Sequence, residues 1–174
     1  QDKFLGAFAY TTDTYIDELN ISSGISVGVM IDANSILNCS FSVDEAISLL
    51  FQEKEKSRVD LVRIATHFDS IEQCKEIAQA LNKLGYQISL NLMQSNGKSN
   101  DELSKIAKLI QGWEIVDVLC FADSLGSMDS DDVIRIISAL KSDWTGHIGF
   151  HAHNNKGLAV SNTLIAIENG VSWV

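Results

Sequence analysis

An α/β fold of parallel strands, a partial (β/α)8 TIM barrel, is what this 174-residue sequence predicts, and three observations predict it. Short β-branched apolar runs alternate with amphipathic helical stretches roughly every 30 residues, the pattern of parallel strands joined by crossover helices. No glycine-rich GxGxxG or GxxxxGK loop follows any strand, so a nucleotide-binding open sheet lacks its best marker. The last residues, VSWV, enter a further apolar run, so five strand-helix units are followed by the start of another strand. In barrel order these are strands three to seven plus the start of strand eight, in one domain over 1–174 that reads as cut at both ends. The alternative is an open doubly wound sheet, which five units would complete, whereas a whole barrel needs ~250 residues.

Each element follows from local pattern. QDKFLGAFAYTTDTYIDELN is irregular and then weakly helical. ISVGVMI (25–31) predicts a strand, and VDEAISLLFQEKEK (43–56) a helix, opened by Ser42 with Glu45 three residues on as a capping box. VDLVRIA (59–65) predicts the second strand. It leads into SIEQCKEIAQALNKLG (70–85), where Ile71, Cys74, Ile77, Ala78 and Leu81 recur at helical spacing and Gly85 supplies the stop. YQISLNLM (86–93) with NDELSKIAKLIQG (100–112), and IVDVLCFA (115–122) with SDDVIRIISALK (130–141), repeat the unit. HIGFHAH (147–153) with LAVSNTLIAIENG (158–170) is the fifth. No linker or low-complexity tract divides them, and the chain has no proline.

Charge narrows the partners. The chain carries 23 acidic and 13 basic residues, net charge −10, with three arginines and no basic run. Nucleic-acid affinity rests on neutralising phosphates and membrane-surface affinity on polybasic patches, so neither partner is expected. There is no signal-peptide pattern and no run of ~18 apolar residues, and three cysteines without CxxC spacing fit free thiols acting as small buried hydrophobes in a reducing compartment. A cytoplasmic protein is expected.

The chemistry concentrates at strand ends. In GFHAHNN (149–155) two of the chain's four histidines stand one residue apart. Residues two apart on a strand project to one face, so His151 and His153 point together and can chelate one divalent cation. Two histidines hydrogen-bonding backbone or water is the plainer reading. A metal site needs at least a third ligand. FADSLGS ends the next strand back with Asp123, Ser124 and Gly126, where Asp123 is a hard oxygen ligand or a strand-end carboxylate paired with an arginine. Arg63, inside an apolar strand, calls for a carboxylate partner, either Asp123 or a substrate carboxylate. Gln87, Ser89, Asn91 and Met93 share one strand face, as in a barrel interior beside a pocket or on the solvent side of a half-covered strand. His147 and Trp144 are expected to serve stability or lie on the surface.

VRIATHF, NLMQS, FADSLGSM and GFHAHNNKGLAVSNTLIAIENG, in that order and spacing, resemble the 4-hydroxy-2-oxovalerate aldolases and related members of the pyruvate carboxyltransferase, or HMG-CoA lyase-like, group of metal-dependent barrels. The resemblance runs from about Ile25 to the C-terminus, and the HxHN element with its following helix is its most specific part.

That resemblance implies a (β/α)8 barrel in which His151 and His153 bind a divalent ion: manganese, magnesium, zinc or cobalt. In such aldolases the ion chelates a 2-oxo acid, a base takes the 4-hydroxyl proton, the carbon-carbon bond breaks to release an aldehyde, and the charge of the pyruvate enolate is stabilised. Ser124 matches the serine that holds the pyruvate part; Asp123 and Arg63 match positions lining or supporting the pocket, and Asn91, from its strand face, joins them as a candidate substrate-binding residue. The base and a further ligand belong to an RDG strand in that group, and no such motif stands before Ile25. The 174-residue chain alone is therefore expected to be inactive and to bind metal weakly. An acyl-CoA-condensing synthase of the same group, a non-catalytic barrel serving binding or assembly, and an open-sheet binding protein with an incidental histidine pair are the other readings. Homo-oligomerisation and pairing with an aldehyde dehydrogenase are left open.

Overall fold

Strand order decides between the two architectures. In the computed structural model, which describes residues 13–174, β1 (Val27–Asp32), β2 (Val59–His67), β3 (Gln87–Met93), β4 (Val118–Ala122) and β5 (His147–His151) form one parallel sheet in the order β1-β2-β3-β4-β5. Parallel crossovers are right-handed almost without exception, so a strictly sequential order sets every crossover helix on the same side. A doubly wound sheet must instead reverse its order partway. The sheet is thus a segment of barrel wall. It continues past β5: Trp173 bridges Gly149 in parallel, Phe150 N–H donates to Trp173 O (2.9 Å) and Ser172 N–H to Ile148 O (3.0 Å). This is the start of the next strand that VSWV predicts.

The helices are α1 (Asp13–Glu18), α2 (Ala33–Leu37), α3 (Val43–Leu50), α4 (Cys74–Lys83), α5 (Asn100–Gln111), α6 (Ser130–Lys141) and α7 (Ala159–Glu168). Capping boxes start three of them: Ser42 with Glu45, Ser99 with Glu102 and Asp129 with Asp132. Each box satisfies backbone N–H groups that the first turn leaves unpaired. Gly85 turns the chain out of α4 with φ +91°, a backbone conformation that favours glycine. On the helix-facing side of the sheet, Val62, Ile64, Ile88, Leu90, Leu92, Leu119 and Phe121 are fully buried, joined by Ile77, Ala78 and Leu81 of α4. Each buried aliphatic side chain stabilises the fold by about 1.5–3 kcal/mol relative to exposure.

The other side is different in kind. Register pairs Arg63 with Ser89 and Ala65 with Asn91, then Asn91 with Cys120 and Cys120 with Gly149. The inward face therefore carries small and polar side chains, and alternation along β5 adds His151 to it. Among the described residues no helix is long and apolar enough to cross a membrane.

Several boundaries differ from the sequence reading. The helix expected over 43–56 ends at Leu50, because Phe51 takes an extended conformation and its ring packs on Tyr86 at 5.5 Å. Tyr86 Oη also donates to Gln52 O (2.7 Å), which holds that segment off the helix. The helix expected over 70–85 begins with a 3-10 stretch, Phe68–Gln73. The strand expected from residue 115 starts at Val118, after Asp117 has used both its N–H and its carboxylate on the backbone of Ile88. β5 ends at His151, two residues short of the expected 153. Cys74 and Cys120 are buried free thiols as expected, but Cys39 is exposed. Residues 1–12 of the opening stretch lie outside the described residues, and Asp13–Glu18 is helical.

Candidate functional site

The two histidines come together although only one of them is in a strand. His151 is the last residue of β5, His153 lies in the following loop, and their Nε2 atoms are 3.1 Å apart. Both are exposed. Two donors each about 2.0–2.1 Å from one ion, at angles between octahedral and tetrahedral, stand about 2.8–3.4 Å apart. The pair fits a shared cation. Partial burial first, then the Arg63 guanidinium and the neighbouring His153, push the His151 imidazole below its ordinary value. Neutral imidazole is the form that ligates. Among the described residues no third His, Cys, Asp or Glu joins the pair.

Arg63 reaches across the inward face. Its Nη2 donates to Asn91 Oδ1 at 2.8 Å, while its buried Nε has no hydrogen-bond partner among the described residues. The expected Arg63–Asp123 ion pair does not form. Asp123 is 1 % exposed, and its Oδ1 and Oδ2 accept the N–H groups of Ser127 (2.9 Å) and Met128 (3.1 Å). Those bonds satisfy the carboxylate inside its own loop, so Asp123 supports the site from behind. Arg63 is left with a neutral amide for a partner and, at its buried Nε, one donor unsatisfied among the described residues.

Ser124 follows Asp123 in the loop after β4. Its Oγ accepts the N–H of Gln94 (2.9 Å), which has φ +59° at the end of β3. The hydroxyl proton remains for an acceptor in the site. Cys120, beneath Asn91, contacts Ser89 Oγ at 3.3 Å, and burial pushes its thiol up, so it stays a neutral filler of the interior. His147 sits at the opposite end of β5, where Nδ1 lies 3.1 Å from Ser172 Oγ, and Trp144 Nε1 donates to His147 O (2.9 Å). Both serve the fold, as expected.

Sequence reasoning missed the cross-ties between loops. Asn155 Nδ2 donates to Leu125 O (2.8 Å), Lys156 N–H to Gly126 O (3.1 Å) and Lys156 Nζ to Ser127 O (2.7 Å). Asn96 Nδ2 reaches Ser127 Oγ (3.4 Å) from the loop after β3. The only signal in the sequence was composition: glycine, serines and paired asparagines just beyond adjacent strand ends.

Comparison with known proteins places this geometry among relatives. A family model described as HMGL-like matches residues 46–174. The 4-hydroxy-2-oxovalerate aldolase of Geobacillus genomosp. 3 is 36% identical over 121 residues, covering 70% of this chain and 36% of the relative. That of Thermus thermophilus is 33% identical over 124 residues, covering 71% and 35%. The chain thus spans about a third of the length of these curated relatives. Among solved structures, the N-terminal domain of a candidate aldolase from Bacteroides vulgatus superposes with TM-score 0.77 at 25% identity, over 99% of this chain and 55% of that one. HMG-CoA lyase of Bacillus subtilis gives TM-score 0.69 at 12% identity, over 94% and 60%, and shows the shared fold.

Proposed function

The chain belongs to the HMGL-like family, and from that premise we propose that it is part of a divalent-metal-dependent aldolase acting on a 4-hydroxy-2-oxo acid, yielding pyruvate and an aldehyde. The observation that carries the proposal is the 3.1 Å approach of His151 and His153 at the rim of a polar face that also holds the Arg63 guanidinium, bonded to an amide and to no carboxylate among the described residues. Relatives named 4-hydroxy-2-oxovalerate aldolase support the substrate class.

In this reading His151 and His153 hold the cation, and a bound manganese, magnesium, zinc or cobalt ion supplies Lewis-acid stabilisation of developing negative charge. Arg63, steadied by Asn91, receives a carboxylate of the 2-oxo acid through the donors that no protein carboxylate occupies. Ser124, its oxygen already accepting Gln94 N–H, donates its hydroxyl proton to the pyruvate part. Asp123 keeps the Ser124 loop in place. Proton abstraction from the 4-hydroxyl falls to a base outside the described residues. The deciding experiment is cobalt(II) or manganese(II) titration of the full-length protein alongside a pyruvate-release assay on 4-hydroxy-2-oxo acids. Loss of both binding and turnover in His151→Ala and His153→Ala supports the aldolase. Metal binding without turnover on any 2-oxo acid, or with acyl-CoA condensation instead, would replace it with a non-catalytic barrel or a synthase.

A further inference from the structure

His153 lies beyond the end of β5, so the strand ladder cannot be what holds it beside His151. A second set of contacts does. On one side, His151 O accepts the N–H of Asp123 (2.9 Å), which ties the strand end to the loop after β4. On the other, Asn155 Nδ2 donates to Leu125 O (2.8 Å) and Lys156 N–H donates to Gly126 O (3.1 Å) in that same loop. The segment between, Ala152, His153 and Asn154, is bracketed by two anchors on one template. The template is itself rigid: Asp123 accepts from Ser127 and Met128, and Gly126 N–H returns to Asp123 O (2.9 Å). Gly126 has φ +59°, and a Cβ there would stand 2.6 Å from Asn155 N. Only a residue without a side chain lets the two loops meet.

We propose that Asn155 is a positioning residue for His153, acting through the Asp123–Met128 loop, and that the spacing of the imidazole pair is set by the neighbouring strand's loop rather than by β5. The proposal rests on the reading that the pair shares a cation, and it gives that reading a specific dependence. Removing one hydrogen bond four residues from His151 leaves both imidazoles intact but frees the second to drift from the first. Outer contacts of this kind typically change metal affinity by about 10–100-fold.

The test uses the full-length protein with Asn155→Ala and Asn155→Asp. Asn155→Asp keeps the volume but turns the donor into a charged acceptor facing Leu125 O, so it breaks the bond and carries the test if Asn155→Ala fails to fold. Two readouts are taken: cobalt(II) affinity with its visible spectrum, and the ring-to-ring NMR cross-peak between selectively labelled His151 and His153 in metal-free protein. A loss of about tenfold or more in affinity, an altered cobalt spectrum and a lost cross-peak, with the circular dichroism unchanged, support positioning. Affinity, spectrum and cross-peak all as in the parent protein overturn it. If the parent binds no cobalt, the metal reading fails and the cross-peak decides alone: its loss in Asn155→Asp supports positioning, and its retention overturns it.

Discussion

Gly149 and Cys120 face each other across the β4–β5 pair so closely that a Cβ on residue 149 would overlap the Cys120 sulfur. The contact lies one inward position below His151, so packing there bears on the height of the imidazole. Gly149→Ala should destabilise the fold by about 1–3 kcal/mol, the usual cost of overpacking. Adding Cys120→Ala should restore much of the loss, since it removes the atom that is struck. Thermal denaturation of the two single variants and the double checks this, and strictly additive losses would refute it.

Arg63 offers a second prediction, because its partner is an amide and not a carboxylate. Breaking a buried ion pair usually costs 3–5 kcal/mol by stranding the remaining charge. Arg63→Gln strands none, so its effect on stability should be well below that range. Pyruvate binding should weaken about tenfold or more, in keeping with about 1.5–3 kcal/mol for a charge-assisted hydrogen bond. Denaturant melts and calorimetric titration of the full-length protein separate the two effects.

Asp123 behaves in the opposite way. Its carboxylate is buried on two backbone N–H groups, so Asp123→Asn turns one acceptor into a donor facing a donor. A loss of about 1–3 kcal/mol is expected for the group left unsatisfied. Cobalt affinity should fall along with it, through the loop that holds Asn155. Urea denaturation followed by metal titration under native conditions is the measurement.

The acid limb of stability should depend on Asp60. The Val27 N–H first, then Lys54, hold its carboxyl below the ordinary carboxylate value. A pKa lowered on folding contributes stability that is fully present above the unfolded value, about 3.9, and is lost as pH falls through the folded one. Asp60→Asn should therefore be less stable than the parent at pH 6, with the difference shrinking below pH ~4. Thermal midpoints across that range test the sign.

Much of this was legible in the sequence because the signals were periodic. Two-residue alternation in QISLNLM separates Ile88, Leu90 and Leu92 from Ser89 and Asn91, and the structure buries the first set against helices and turns the second inward. The histidine pair was legible as well, since spacing and strand end coincide. The partners of Arg63 and Asp123 were not. Both were expected to seek opposite charge, but a carboxylate that already accepts two backbone N–H groups has no need of a guanidinium, and loop hydrogen bonds leave no periodic trace. For the same reason the end of α3 was misjudged: helical pattern continues through Phe51, and a tertiary contact with Tyr86 overrides it.

The two faces of β5 have one further consequence. Phe150 faces the helices and His151 the opening, so a slip of one residue would bury an imidazole and expose a phenyl ring. Cohesion thereby proofreads chemistry. A chain that has put Ile148 and Phe150 where water is excluded has already put His151 at the open rim, and an insertion or deletion within the strand would disturb packing and rim together. The loops beyond the rim carry no such check.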